Sequence, residues 1–292
     1  MSDHLSAEIV TLPARGWRID PRHALMAAAV CWIGFAVVVV AVLGGRSTGF
    51  DAAGLRLFRT GLDLHPRGAP WLAEAVRDYT ALGGVLLRHI VVIGALVALV
   101  FLRLRREAML LTLTIVSGWL VNTALKLLVG RPRPEIVPHL TKAGGASFPS
   151  GHSFNSAVVY IAIALAFAAL SPRQSVRATI VLAAMVLTLL IAFSRVWLGV
   201  HYPSDVIAGW LGGAGWAFAA MSQRQSVRAT VVLTAMALTL LVALSRVWLG
   251  VHYPSDAVAG WLGGAGWAFT AAALLYRPAK AVADQTADAI AT

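Results

Sequence analysis

Apolar residues along this chain come in long blocks instead of alternating with polar ones. Ala24 to Leu43 carries no charge and matches the roughly 20 residues an α-helix needs to cross a hydrocarbon core. Further blocks run from about Val85 to Leu102, Ala108 to Val129, Ser153 to Leu170, Ala178 to Phe193, Val206 to Ala220, Ala229 to Leu244 and Ala257 to Leu275. This pattern predicts an all-α, polytopic membrane bundle of about eight helices, the shorter ones completed by their flanks. Arg88 and His89 then reach toward the interface from the start of the second span. The first block is longer than the apolar region of a signal peptide and is expected to remain as an anchor. Between the first two spans, Gly44 to Gly84 interleaves Asp51, Arg56, Arg59, Asp63, Glu74, Arg77 and Asp78 with Leu55, Leu57, Phe58, Leu62, Leu64, Trp71 and Leu72. That reads as amphipathic helix lying on the membrane surface.

The chain also repeats itself. Gln174 to Ala220 recurs as Gln225 to Ala271, an offset of 51 with eight differences. Each copy is a helix, a polar loop and a helix, so a second copy returns the chain to the side it left, and both SRVWLGVHYPSD loops face one compartment. The expected organisation is a tail over residues 1–23, a membrane domain over 24–220, the repeated helix pair over 221–276 and a tail over 277–292. Linkers near Arg103, Arg173 and Arg224 share a side with both termini. Lys and Arg divide twelve and twelve between the sides; with Lys126, Arg131, Arg133, Arg195 and Arg246 set aside as site candidates, twelve against seven remain. The positive-inside rule then places linkers and tails in the cytoplasm and the motif loops on the extracytoplasmic face of a bacterial plasma membrane.

Composition agrees with a bilayer. The chain is 59% hydrophobic and 13% charged, with a mean hydropathy of +0.76, which excludes an ordinary soluble domain. The formal net charge of +11 does not point to nucleic acid, because the basic residues stand singly or in short groups; loops beside anionic lipid account for them. The lone Cys31 sits inside the first span, where packing is its expected role.

Three polar clusters interrupt the apolar text: KLLVGRPRP over 126–134, SFPSGHS over 147–153, and SRVWLGVHYPSD over 194–205. All three fall on one side, at junctions between loop and helix. A charge near the end of a span costs about 2.5 to 3.5 kcal/mol on insertion scales, so Lys126 calls for a compensating anion. Lys126, Arg133 and Arg195 together suit a phosphate dianion and the charge that develops as it is attacked. PSGHS opens a helix whose free N–H groups favour an anion, with Ser150 and Gly151 as donors and Gly151 permitting close approach. His152 and His201 supply two imidazoles, one to attack phosphorus and one to protonate the departing oxygen. Asp205, four residues beyond His201, is placed to hold one ring nitrogen and leave the other free as nucleophile.

These clusters resemble the signature of the type 2 phosphatidic acid phosphatases (PAP2), KxxxxxxRP, then PSGH, then SRxxxxxHxxxD. Lys126, Arg133 and Pro134 fit the first element, Pro149 to His152 the second, and Ser194, Arg195, His201 and Asp205 the third, over roughly Val85 to Ala220. The resemblance implies a six-helix core, a phosphohistidine on His201, His152 as general acid, no metal or cofactor, and a phosphate pocket built from Lys126, Arg133, Ser150, Gly151, His152 and Arg195. The chain departs from the family in its extra helix pair, which carries Ser245, Arg246, His252 and Asp256. One copy of the first two clusters and two of the third allow one complete site, with His201 or His252 in line; the helix pair that directly follows PSGHS favours His201.

Other polar residues have plainer readings. Arg88, His89, His65 and His139 are expected at the interface, and Arg131 to meet either phosphate or headgroups. Trp197, Trp210, Trp248 and Trp261 read as aromatic-belt anchors. Asn122 reads as an interhelical hydrogen bond, and Gly212, Gly213 and Gly215 as close helix packing. The function expected is hydrolysis of a lipid phosphate, on phosphatidic acid, phosphatidylglycerol phosphate, or a polyprenyl phosphate or diphosphate. The alternatives are phosphotransfer to an alcohol at the same site, or a non-catalytic lipid-binding or transport protein.

Overall fold

The computed structural model describes residues 21–222, 253–256, 258–260 and 262. The chain divides into two compact units, 1–232 and 233–292. In the first unit, α1 (Pro21–Leu43) leads through α2 (Thr48–Arg56) into a short antiparallel ladder of β1 (Arg59–Thr60) and β2 (His65–Pro66). Then follow α3 (Pro70–Thr80), a 3-10 turn (Ala81–Gly83), α4 (Val85–Phe101), α5 (Arg105–Val129), α6 (Gly151–Ala168), α7 (Gln174–Trp197) and α8 (Pro203–Ser222). A π-helical segment, Ala157–Ile161, lies within α6.

Among the described residues four helices are long and apolar enough to cross a membrane, namely His23–Leu43, α5, α6 and α7. A fifth is obtained if Pro70–Gly83 and Val85–Phe101, bent by 48° at their junction, count as one span. The expected span at Ala229 to Leu244 lies outside the described residues, as does nearly all of the one at Ala257 to Leu275. α1 exposes Val30, Ile33, Val37 and Val40, an apolar face suited to lipid contact.

The segment between α1 and α4 differs from the single surface helix its pattern suggested. Gly61 and Gly68 take positive φ values of 71° and 114°, which break a helix, and Pro66 and Pro70 reinforce the breaks. The segment is also less superficial than expected: Asp51, Leu55 and Arg59 are buried. Arg59 donates from Nη1 to Trp197 O at 2.9 Å, satisfying a carbonyl at the C-terminal end of α7.

α8 packs against α1 and α6, and small residues make the approach possible. A methyl on Gly213 would lie 2.2 Å from Phe154 O, and one on Gly212 2.8 Å from a Phe154 ring carbon. One on Gly215 would meet Cys31 Cβ and Trp32 Cδ1 at 3.1 Å. Those three glycines serve close packing, as does buried Cys31. Two tryptophans depart from the belt reading. Trp197 is buried against Val76, Leu198 and Val200, and Trp210 donates from Nε1 to Thr188 Oγ1 at 3.0 Å across the α7–α8 contact. Trp248 and Trp261 lie outside the described residues.

Candidate active site

α5 and α7 finish, and α6 and α8 begin, at one end of the bundle, so chain direction alone gathers the three polar clusters there. α5 stops at Gly130, whose φ of 58° lets its N–H return to Lys126 O at 3.0 Å, a left-handed cap that proline-rich RPRP cannot extend into helix. Ser147 closes the following loop, its N donating to Arg131 O (2.8 Å) and its Oγ to Pro132 O (2.9 Å). Ser150 caps α6 by accepting from Ser153 N at 3.5 Å, its Oγ also takes Ser153 Oγ at 3.0 Å, and its own N donates to Asp205 O at 2.9 Å. The first turns of α6 and α8 are thereby fastened together. Pro203 opens α8 at the position where proline costs no hydrogen bond.

His201 is 2% exposed and receives a hydrogen bond at Nε2 from Arg133 Nη1 at 3.1 Å. A guanidinium only donates, so Nε2 is the acceptor and the proton of the neutral ring belongs on Nδ1. Nδ1 lies 3.5 Å from Asp205 Oδ2, close but without a formed hydrogen bond. Burial first, then the nearby charges of Arg133, Arg195 and Lys126, hold the imidazole pKa well below its ordinary value. The ring is therefore neutral near pH 7, the form in which a lone pair is available. Asp205, fully buried, accepts from Arg131 Nη1 at Oδ1 (2.7 Å) and from Tyr202 N at Oδ2 (3.0 Å).

The cations surround this pair. Lys126 donates from Nζ to Ala146 O at 2.6 Å, so a carbonyl oxygen supplies the partner its position demanded. Arg133 spreads its donors over Val200 O (2.7 Å), Gly144 O (2.7 Å) and Gly145 O (3.1 Å) as well as His201. Arg195 is 4% exposed; Nη1 donates to Thr80 Oγ1 at 3.2 Å, and Nε has no partner among the described residues. His152 stands at the start of α6, within electrostatic reach of Arg195, His201, Arg88 and Arg133. A methyl on Gly151 would lie 3.5 Å from both Lys126 Cε and Asn122 Oδ1, so an anion approaching this backbone meets the lysine. The expected site residues thus converge at one place. Among the described residues no cluster of three or more His, Cys, Asp or Glu side chains offers a metal site.

Several contributors escaped the sequence reading. Asp51 accepts from Arg131 Nη2 (2.8 Å), Ser204 Oγ (2.7 Å) and Ser204 N (2.9 Å). Thr80 shares a 2.6 Å hydrogen bond with Ser194 Oγ while it holds Arg195. Neither belongs to a motif, and within an amphipathic segment their polar character sets neither apart. Arg88 is buried, donating to Gly83 O at 2.7 Å, while exposed His89 bonds Val85 O. Arg131, expected to meet phosphate or headgroups, has both terminal nitrogens on carboxylates: it bridges Asp51 and Asp205 and stacks 4.0 Å above the Tyr202 ring centroid. Burial opposes its charge, but hydrogen bonds and charge from the two carboxylates more than offset this and raise its pKa.

In the second unit, Tyr253 N donates to Asp256 Oδ2 at 3.3 Å, repeating the turn made by Tyr202 and Asp205. Ser245, Arg246 and His252 lie outside the described residues.

Comparison with known proteins gives a consistent picture. The family model of the PAP2 superfamily matches residues 106–229 and again 222–280. Phosphatidylglycerophosphatase B of Bacillus subtilis is 39% identical over 143 residues, 48% of this chain and 69% of that protein. Lipid A 1-phosphatase of Rhizobium etli is 38% identical over 118 residues, 37% of this chain and 46% of that one. Undecaprenyl-diphosphatase BcrC of Bacillus subtilis is 31% identical over 110 residues, 35% and 50% of the two chains. The chain thus spans about half the length of the latter two. The crystal structure of a transmembrane PAP2 type phosphatidylglycerolphosphate phosphatase from Bacillus subtilis superposes with a TM-score of 0.60 at 28% identity, covering 66% of this chain and 94% of that one.

Proposed function

The chain belongs to the PAP2 superfamily, and from that premise we propose that it hydrolyses a phosphate ester or diphosphate on a membrane lipid through a phosphohistidine on His201. The observation that carries the reading is the neutral imidazole of His201, its Nε2 lone pair aimed at Arg133 and its Nδ1 beside Asp205. Nε2 attacks phosphorus, the bond from phosphorus to the lipid oxygen breaks, and His152 gives that oxygen a proton. Water then attacks the phosphohistidine and passes its proton to His152, the nitrogen–phosphorus bond breaks, and inorganic phosphate leaves. Lys126, Arg133, Arg195, the N–H of Gly151 and the hydroxyl of Ser150, whose own N–H is taken by Asp205 O, hold the phosphoryl oxygens and stabilise their growing charge. Asp205 acts through His201 and is a positioning residue.

Every cation in this scheme is protein-borne, which supports turnover without added metal. The relatives act, by name, on phosphatidylglycerol phosphate, lipid A and undecaprenyl diphosphate, which supports a lipid substrate. Motif loops on the extracytoplasmic face of the plasma membrane follow from the distribution of basic residues. The test is phosphate release by the purified full-length chain in detergent, with chelator, on phosphatidic acid, phosphatidylglycerol phosphate, lipid A 1-phosphate and undecaprenyl diphosphate. At least one should be hydrolysed, His201→Ala should abolish the activity and His252→Ala should keep it. Activity that survives His201→Ala but not His252→Ala reassigns the nucleophile to the second copy; activity indifferent to both removes the mechanism.

A further inference from the structure

Arg131 stands between two almost fully buried carboxylates. Its Nη1 holds Asp205 Oδ1 at 2.7 Å and its Nη2 holds Asp51 Oδ2 at 2.8 Å. Asp51 and Asp205 are 1% and 0% exposed. Asp51 also takes both donors of Ser204, the residue preceding Asp205, and so caps the first turn of α8 from a distant part of the chain. It can do so because α2 lies directly on α8: a methyl on Gly54 would fall 2.5 Å from Pro203 Cγ. Each arm of the guanidinium therefore has its own carboxylate.

That division matters for the other oxygen of Asp205. An arginine facing a single carboxylate prefers the two-pronged fork, one N–H to each oxygen. With Nη2 drawn aside by Asp51, Arg131 grips only Oδ1, and Oδ2 is left to Tyr202 N and to His201 Nδ1, 3.5 Å away. Were Nη2 released, it would swing onto Oδ2 and compete for the oxygen that orients the imidazole.

We propose that Asp51 is a positioning residue for catalysis: by engaging Arg131 Nη2 and the α8 N-terminus it keeps Asp205 Oδ2 free to orient and stabilise His201. The proposal rests on the phosphatase reading above. Asp51→Asn has one acceptor oxygen and cannot serve Ser204 N and Arg131 together. It should lower kcat by about tenfold to a hundredfold, the cost of a misplaced catalytic group, with KM within about twofold because the phosphate-binding cations are untouched. The deciding readout is the double variant Asp51→Asn with Arg131→Lys. A lysine ammonium cannot fork, so Oδ2 is freed and kcat should recover at least about threefold over Asp51→Asn alone. A merely structural role predicts that the second substitution worsens the first. Wild-type kcat in folded Asp51→Asn, or a double variant below the single one, overturns the proposal. Should Asp51→Asn fail to fold, Arg131→Lys alone decides: kcat within about threefold of wild type supports the proposal, because no fork can form on Oδ2, and a kcat about tenfold or more lower overturns it. A wild type that releases no phosphate from any lipid overturns both readings, whereas an active wild type with an equally active Asp51→Asn overturns this one alone.

Discussion

Arg133 and His201 meet through a single nitrogen pair, Nη1 donating to Nε2 across 3.1 Å. The lone pair proposed to attack phosphorus is thus engaged by one of the groups proposed to bind it. Arg133 has its remaining contacts with the carbonyls of Val200, Gly144 and Gly145, so the guanidinium is held in place before any substrate arrives. A phosphoryl oxygen entering the cluster is a stronger acceptor than an imidazole nitrogen and takes the Nη1 donor for itself. In the proposed mechanism substrate binding would then expose the nucleophile in the same step.

Arg133→Lys should therefore be far from conservative. A lysine reaches one partner at a time and cannot hold the Gly144–Gly145 backbone, Val200 and the incoming phosphate together. Lipid phosphatase assays on the purified variant should show kcat/KM reduced about a hundredfold or more, the scale seen on losing a preorganised donor to developing charge. Wild-type kcat/KM would show that Arg133 merely supports the loop.

Stability should fall on the acid side of neutrality. His201 is neutral in the folded protein because burial and neighbouring cations lower its pKa, while in the unfolded chain it titrates near its ordinary value of about 6.5. Below that pH the unfolded state takes up a proton the folded state refuses, and folding loses up to about 1.4 kcal/mol per pH unit from this residue. Above it both states are neutral and the loss vanishes. Thermal unfolding in detergent between pH 7.5 and 5 should show a steeper fall in Tm for wild type than for His201→Gln; parallel curves would refute this.

Thr80 tests how Arg195 is aimed. Its Oγ1 accepts from Arg195 Nη1 and pairs with Ser194 Oγ. Thr80→Val keeps the shape but leaves the guanidinium without this acceptor, and KM for the phosphorylated lipid should rise about tenfold. Thr80→Ser, which restores the hydroxyl, should stay near wild type. Equal KM values for Val and Ser would remove the positioning role.

Much of this site was legible because its chemistry is local in sequence. KLLVGRPRP, PSGHS and SRVWLGVHYPSD each place several polar groups within one turn of a helix end, and up-and-down chain direction puts those ends together. Asp51, Thr80 and the role of Arg131 were not legible, because each depends on how the segment between α1 and α4 folds over the bundle. Its charges alternate with leucines as they would on a surface helix. The positive φ of Gly61 and Gly68 ends that pattern, and the seat of Gly54 against Pro203 brings Asp51 onto α8. Trp210 likewise reads as a belt residue until the facing Thr188 on α7 is seen to accept its N–H.

Glycines supply a sharper test of the packing beneath the site, since two of them face opposite surroundings. A methyl on Gly213 would lie 2.2 Å from Phe154 O and 2.9 Å from Phe154 C, backbone atoms that cannot rotate away, so Gly213→Ala must push α8 from α6. Overpacking of this kind costs about 1–3 kcal/mol. Phe154 sits on the turn that carries His152, so phosphate release should fall together with Tm. Gly94, inside α4, has nothing within 4 Å of the added methyl, and there alanine removes only backbone freedom from the unfolded chain. Gly94→Ala should leave activity intact and gain up to about 1 kcal/mol. Thermal unfolding and activity of the two variants side by side check the contrast; a Gly213→Ala protein as stable and active as wild type would mean that α8 and α6 do not approach at this point.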